Sequence, residues 1–188
     1  MNEAEALDEL RNTLIASSAG HGADALHHLD LAGAPGSVEY AEHRALAFVH
    51  QWCYLIEEPP AESEPVRELI GAPVKMRLTE GGELTNFAEI VRWHEATSHA
   101  VAVTTHTITD FKLVQPEAGH YDVSIDFAWQ GITADDQAMT ARTHHEWTLT
   151  DAHERFPRLT TFTASVVRPF APVSATDALA DLHSVIDA

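Results

Sequence analysis

From residue 100 onward the side chains change period. β-branched and aromatic residues alternate with polar ones through VAVTTHTITDFKLV, HYDVSIDFAWQG, MTARTHHEWTL and RLTTFTASVV. A two-residue period is what a strand needs when one face is buried and the other is wet. The links QPEAG, ITADDQ and TDAHERFP are short and rich in turn residues, so the four runs predict an antiparallel meander. One face of that meander must be covered, and the residues that precede it are the only sizeable source of cover.

Those residues read as helices. Leu7, Leu10 and Leu14 predict a first helix over 3–16, stopped at Ser17-Ser18-Ala19-Gly20. Residues 19–38, rich in Gly, Ala and Pro, read as a connection with at most a short helical turn around Ala25 to Leu29. Ser37 is a plausible N-cap for a strongly amphipathic helix carrying Ala41, Ala45, Phe48, Val49, Trp52 and Ile56, which ends at Pro59-Pro60. Glu62 to Ile70 predicts a shorter helix, and VKMRL a brief extended piece. Asn86 with Glu89 resembles a capping box that opens a helix through Phe87, Ile90, Val91 and His94 to about Thr97. Pro169 and Pro172 are expected to end the last strand, before a terminal helix over Ala175 to Ile186 with Leu179, Leu182 and Ile186 on one stripe. The expected architecture is α+β, with three helices packed on one side of a curved four-stranded antiparallel sheet that has one short strand besides.

At 188 residues the chain suits one domain. Eleven Lys+Arg against 29 Asp+Glu give a net charge of −18, a field that repels phosphate backbones and anionic lipid surfaces, so neither nucleic acid nor membrane is an expected partner. No apolar run approaches the roughly 20 residues of a membrane-spanning helix. The acidic N-terminus MNEAEALDEL lacks the character of a secretory signal, and the single Cys53 cannot make an internal disulfide. A cytoplasmic setting fits both. The 13 histidines read as scattered and mostly on the surface.

TTHTITDF, Thr104 to Phe111, is similar to a strand opening of the pattern His-x-φ-x-Asn/Asp, with His106, Ile108 and Asp110 in those places. With HYDVSIDFAWQG, THHEWTL and the order of helices before them, it resembles the nuclear transport factor 2-like superfamily. Ketosteroid isomerases, scytalone dehydratase and the small SnoaL-like polyketide cyclases belong to it. The resemblance covers residues 38–170, leaving 1–37 as an N-terminal helix and connection and 171–188 as a tail. It implies a cone-shaped roll around an apolar pocket, acid–base residues pointing inward, no cofactor and a homodimer. His106 matches a histidine that acts on substrate in the dehydratase branch. The aspartate base of the ketosteroid isomerase branch is missing, since the short strand has Met76, Arg77 and Leu78 there.

On a regular strand His106, Ile108 and Asp110 share a face, but His106 and Asp110 stand ~14 Å apart and need partners from elsewhere. If both hairpins close symmetrically, Asp126 falls diagonally near His145 on the His106 face, where an Asp orienting a His would make a general base. A slip of one residue would reverse every side chain. His144 and His145 face opposite ways and cannot chelate one ion, and no metal motif is present. Tyr54 is a candidate to polarise a carbonyl. Trp52, Trp93, Phe127, Trp129 and Trp147 are candidates to line a pocket, while Glu57 and Glu58 are expected to face solvent at a helix end. No GxSxG, phosphate loop or GxGxxG occurs. Two functions follow. One is a lyase or isomerase (dehydratase, cyclase or ketosteroid-isomerase-like) working on a small apolar cyclic carbonyl compound by histidine acid–base catalysis. The other is a non-catalytic module that binds an apolar ligand or dimerises.

Overall fold

A computed structural model describes residues 2–186. Its elements are α1 (Glu3–Leu31), α2 (Val38–Glu57), α3 (Glu64–Leu69), β1 (Ile70–Arg77), β2 (Glu83–Leu84), α4 (Phe87–Ser98), β3 (Val103–Glu117), β4 (His120–Ile132), β5 (Ala138–Thr150), β6 (Arg158–Pro172) and α5 (Ala175–Ile186). The side chain of Ile186, expected on the terminal stripe, lies outside the described residues. The four alternating runs form the antiparallel meander β3-β4-β5-β6, and β1 adds to the β6 edge in parallel, with β2 outside it. The fold is α+β, a six-stranded open sheet with helices on its inner face. β3 is left as an edge strand.

Two features of the sheet depart from the regular alternation. Thr109 is an extra residue in β3, because Ile108 lies opposite Phe127 while Asp110 lies opposite Asp126. The bulge reverses the facing, so Asp110 emerges on the outer side and does not share the face of His106 and Ile108. In β6, Pro169 does not end the strand. It sits with Phe170 opposite the single residue Ala141, at a bulge, where a missing N–H breaks no ladder.

The helix α2 is built as its stripe requires: Ser37 Oγ accepts from the Tyr40 N–H, and Ala41, Ala45, Phe48, Val49, Trp52 and Ile56 are all buried. With Leu69, Met76, Ile90, Ile125, Leu149 and Phe162 they form the main core between helices and sheet. Arg44 fixes this helix to the β5–β6 loop. Its Nε and Nη2 donate to Asp151 at 2.8 Å and its other bonds go to the carbonyls of Glu154 and Arg155. Burial works against the Arg44 charge, but the Asp151 carboxylate outweighs it and leaves the guanidinium more basic than usual.

The first helix is the larger departure. Instead of stopping at Gly20, α1 runs through Gly20 and Gly22 to Leu31. Two helical glycines weaken it by about 1 kcal/mol each, and tertiary contacts offset that. A Cβ at Gly22 would lie 3.3 Å from the Tyr54 ring, so the glycine lets α1 and α2 approach. Ser17 Oγ meets Thr105 Oγ1 at 2.9 Å and Ser18 donates to Glu58 at 3.3 Å. The N-terminal half of α1 packs Leu10 and Leu14 with Ile132, Leu179 and Leu182 in a second, smaller core. The expected capping box at α4 is also shifted: Asn86 caps the Glu89 N–H at 3.0 Å, while the Glu89 carboxylate takes the N–H of Thr85 at 2.8 Å.

Candidate active site

Between the inner face of the sheet and helices α2 and α4 lies a cavity of about 340 Å³, at the small end of ligand pockets. Trp52 and Ile56 of α2, Trp93 and Thr97 of α4, Leu78 after β1, and Phe162 and Ala164 of β6 form its apolar walls. Trp52 and Trp93 stack with ring centroids 6.2 Å apart. At the far end Trp129 meets Phe170 edge to face at 4.9 Å. Gly131 leaves room for this indole, since a Cβ there would come within 2.8 Å of the Trp129 ring. Of the expected lining aromatics, Trp52, Trp93 and Trp129 border the cavity. Phe127 and Trp147 stand one layer deeper, around a void of about 20 Å³ that also touches His106 and His145.

His106 and His145 are the two imidazoles of the cavity wall. They flank Phe127 edge-on, at 5.6 and 5.0 Å between ring centroids. The His106 Nδ1 lies 3.0 Å from Glu57 Oε1, and its own backbone N–H donates to the same oxygen at 2.6 Å. A carboxylate only accepts, so a proton sits on Nδ1, and in the neutral ring Nε2 is the nitrogen with the lone pair. The Glu57 side chain is 0% exposed. Its place at the end of α2 had suggested solvent, yet the spacing of four from Cys53 puts it on the apolar stripe, and that spacing is the signal that could have found it. Burial, with the Glu57 charge close by, also pushes the Cys53 thiol well up.

His145 differs. Burial first, and then the nearby His106 and His144, lower its pKa to about 3, so it is neutral in any ordinary buffer. Its Nε2 is 3.0 Å from Thr143 Oγ1, and its buried Nδ1 has no hydrogen-bond partner among the described residues.

Asp126 does not join these groups. Ile125 pairs with His145 and Asp126 with His144, so Asp126 and His144 are directly opposed on the outer face, 2.6 Å apart. The facing of β4 is set by His106 opposite Trp129, which turns the odd-numbered residues inward. Tyr54 is also elsewhere. Its ring packs on Gly22, and it borders an outer groove with Gln51, Pro59 and Arg155. On β1 and just after it, Met76 is buried, Arg77 is exposed and pairs with Glu83, and Leu78 lines the cavity, so the short strand itself presents no carboxylate, and Glu80, in the turn that follows, is the acidic residue that borders the cavity from that side. Among the described residues no three His, Cys, Asp or Glu side chains are placed to hold a metal ion. No helix among them is long and apolar enough to cross a membrane.

Four of the 13 histidines are not scattered: His21 and His28 on α1 and His43 and His50 on α2, each pair seven apart, meet across the contact of the two helices. His21 Nδ1 is 2.8 Å from His50 Nδ1, and His28 Nδ1 is 2.9 Å from His43 Nδ1. His50 and His28 stack at 5.4 Å.

No family model and no curated protein matches the sequence. Solved structures do match. A provisionally assigned dehydratase of the nuclear transport factor 2-like family from Streptomyces avermitilis aligns over 71% of this chain and 100% of its own, with 10% identity and a TM-score of 0.61. The chain has the nuclear transport factor 2-like fold. A hexachlorocyclohexane dehydrochlorinase from Novosphingobium barchaimii shares 9% identity over 71% of this chain and 90% of its own at a TM-score of 0.60. A provisionally assigned ketosteroid isomerase from Shewanella frigidimarina shares 15% identity over 65% and 94%, at 0.55. Neighbours in this fold thus include proteins named for elimination and for isomerisation.

Proposed function

We propose that this protein is a cofactor-independent lyase or isomerase that removes a proton from a neutral, apolar, cyclic carbonyl compound, with His106 as the base. The observation that carries this reading is the pair of the buried Glu57 carboxylate and the His106 imidazole at the cavity wall. Glu57 holds the Nδ1–H tautomer and stabilises the imidazolium that forms when Nε2 takes the substrate proton. The electron pair left on carbon moves toward the carbonyl oxygen. It then either expels a leaving group on the neighbouring carbon, which is elimination, or is reprotonated elsewhere, which is isomerisation. His145, neutral and desolvated, is suited to hydrogen-bond the substrate oxygen and unsuited to donate charge. Among the described residues no Lys or Arg lines the cavity, and Glu80 stands at its wall, which favours uncharged substrates over anionic ones.

A probe substitutes for the unknown substrate in the test. 2-Tetralone in D2O takes up deuterium next to its carbonyl when a base acts on it. The protein should accelerate this wash-in, and His106→Gln should lower the acceleration by about 10²–10⁴-fold. Equal rates for the two proteins would remove His106 from the chemistry. Saturable binding of the probe without exchange would favour the ligand-binding module instead.

A further inference from the structure

We propose that His21, on the N-terminal helix α1, is a positioning residue for the Glu57–His106 pair. The proposal rests on the reading that this pair does the chemistry, and it makes a helix outside the residues of the shared pattern part of the site.

β3 is an edge strand, and an edge strand has N–H and C=O groups that no neighbouring strand takes up. At residue 106 both go to helix side chains. The N–H donates to Glu57 Oε1 at 2.6 Å, and the carbonyl lies 2.7 Å from His21 Nε2. A carbonyl only accepts, so the His21 proton is on Nε2. The same Nε2 stands 3.7 Å from Glu57 Oε1, close to a carboxylate whose other oxygen has no hydrogen-bond partner among the described residues. On its other side the ring is engaged too: His21 Nδ1 lies 2.8 Å from His50 Nδ1, a distance that needs one proton between the two nitrogens. His50 is braced by stacking on His28 and by Asp24 at 3.9 Å. Both ring nitrogens of His21 are therefore committed, and the side chain is 8% exposed.

Residue 106 is thus held at three points: its N–H and its Nδ1 by Glu57, and its carbonyl by His21. Removal of the third frees the edge backbone to turn, and the aim of Nδ1 at Glu57 is lost with it. A purely structural cover for the edge would have no need of this atom-by-atom convergence. α1 already makes such a contact one residue earlier, where Ser17 meets Thr105 at 2.9 Å.

The test uses the full chain labelled with ¹⁵N-histidine and reads the His106 tautomer by long-range ¹⁵N–¹H NMR, alongside 2-tetralone wash-in. Wild-type His106 should be the Nδ1–H form. An Nε2–H form there would sink the reading of the pair itself, independently of His21. In His21→Phe the single form should give way to a mixture, with kcat down at least tenfold and KM little changed. His21→Gln, whose amide N–H reaches the same carbonyl, should restore both, and Ser17→Ala should leave both as in wild type. If His21→Phe does not fold, His21→Asn, too short to reach, takes its place. The proposal is overturned if the folded variant keeps the wild-type tautomer and rate. It is equally overturned if Gln fails as badly as Phe, or if Ser17→Ala does the same damage.

Discussion

A carboxylate–imidazole pair stands on each side of the sheet, the inner one completed by Glu57 from α2, and the pair with the shorter bond is not the one with the better site. On the outer face Asp126 and His144 stand 2.6 Å apart with side chains 45% and 35% exposed. On the inner face Glu57 and His106 are 3.0 Å apart with side chains 0% and 18% exposed. Outside, water and salt screen the attraction, and such pairs contribute ~0–1 kcal/mol. Inside, the carboxylate cannot turn to water, so its charge is directed at one nitrogen beside an apolar cavity. Distance alone therefore says little about chemistry. What distinguishes the pairs is desolvation and a space next to the base for a reactant.

Acid should separate the two faces most. His145 and His50 both have their pKa lowered to about 3, by burial first and by neighbouring histidines after it. Between about pH 3 and 6.5 the unfolded chain binds protons that the native state refuses, so stability is complete above that window and falls as pH drops through it. Each histidine contributes about 1.4 kcal/mol per pH unit there, roughly 3 kcal/mol per unit together. Urea midpoints measured from pH 7 to 4.5 should show that slope. His145→Gln should flatten that slope, to which His28 and His94, also lowered by burial first, add in the same direction, and His144→Gln on the outer face should change it less.

Carboxylate to amide substitutions sharpen the same contrast at neutral pH. Glu57→Gln keeps one acceptor oxygen for the His106 N–H and ring but removes the charge and buries an NH2 where Oε2 has no partner, and should lower unfolding free energy by about 1–3 kcal/mol. Asp126→Asn should cost less than about 1 kcal/mol. The smallest effect is the salt dependence of the second figure: in 1 M NaCl the cost of Asp126→Asn should vanish into error, while that of Glu57→Gln persists.

How much of this the sequence carries differs by element. The meander was legible because its period is local, and the stripe of Ala41, Phe48, Trp52 and Ile56 showed α2 for the same reason. The length of α1 was not, because Ser17, Ser18, Gly20 and Gly22 are local stop signals. They are overridden by contacts with Thr105, Glu58 and Tyr54, residues 32 to 88 positions away. His106 was legible from its strand pattern. Its partner was sought on the neighbouring strands, where Asp126 has the right chemistry and the wrong facing. The extra residue Thr109 and the odd-numbered facing of β4 are products of register, which composition does not encode. Glu57 was within reach, four residues past Cys53 on an apolar stripe, but a charged residue next to Glu58 at a helix end has solvent as its ordinary environment. Tyr54 shares its helix with Trp52 and yet faces α1, a helix whose length there was not foreseen.

Deuterium wash-in to 2-tetralone by Glu57→Gln and Asp126→Asn, measured side by side with the wild type, puts the two pairs in direct competition. Asp126→Asn should exchange at the wild-type rate and Glu57→Gln at least a hundredfold more slowly. A slow Asp126→Asn beside an unimpaired Glu57→Gln would place the chemistry on the outer face and contradict the assignment of the cavity.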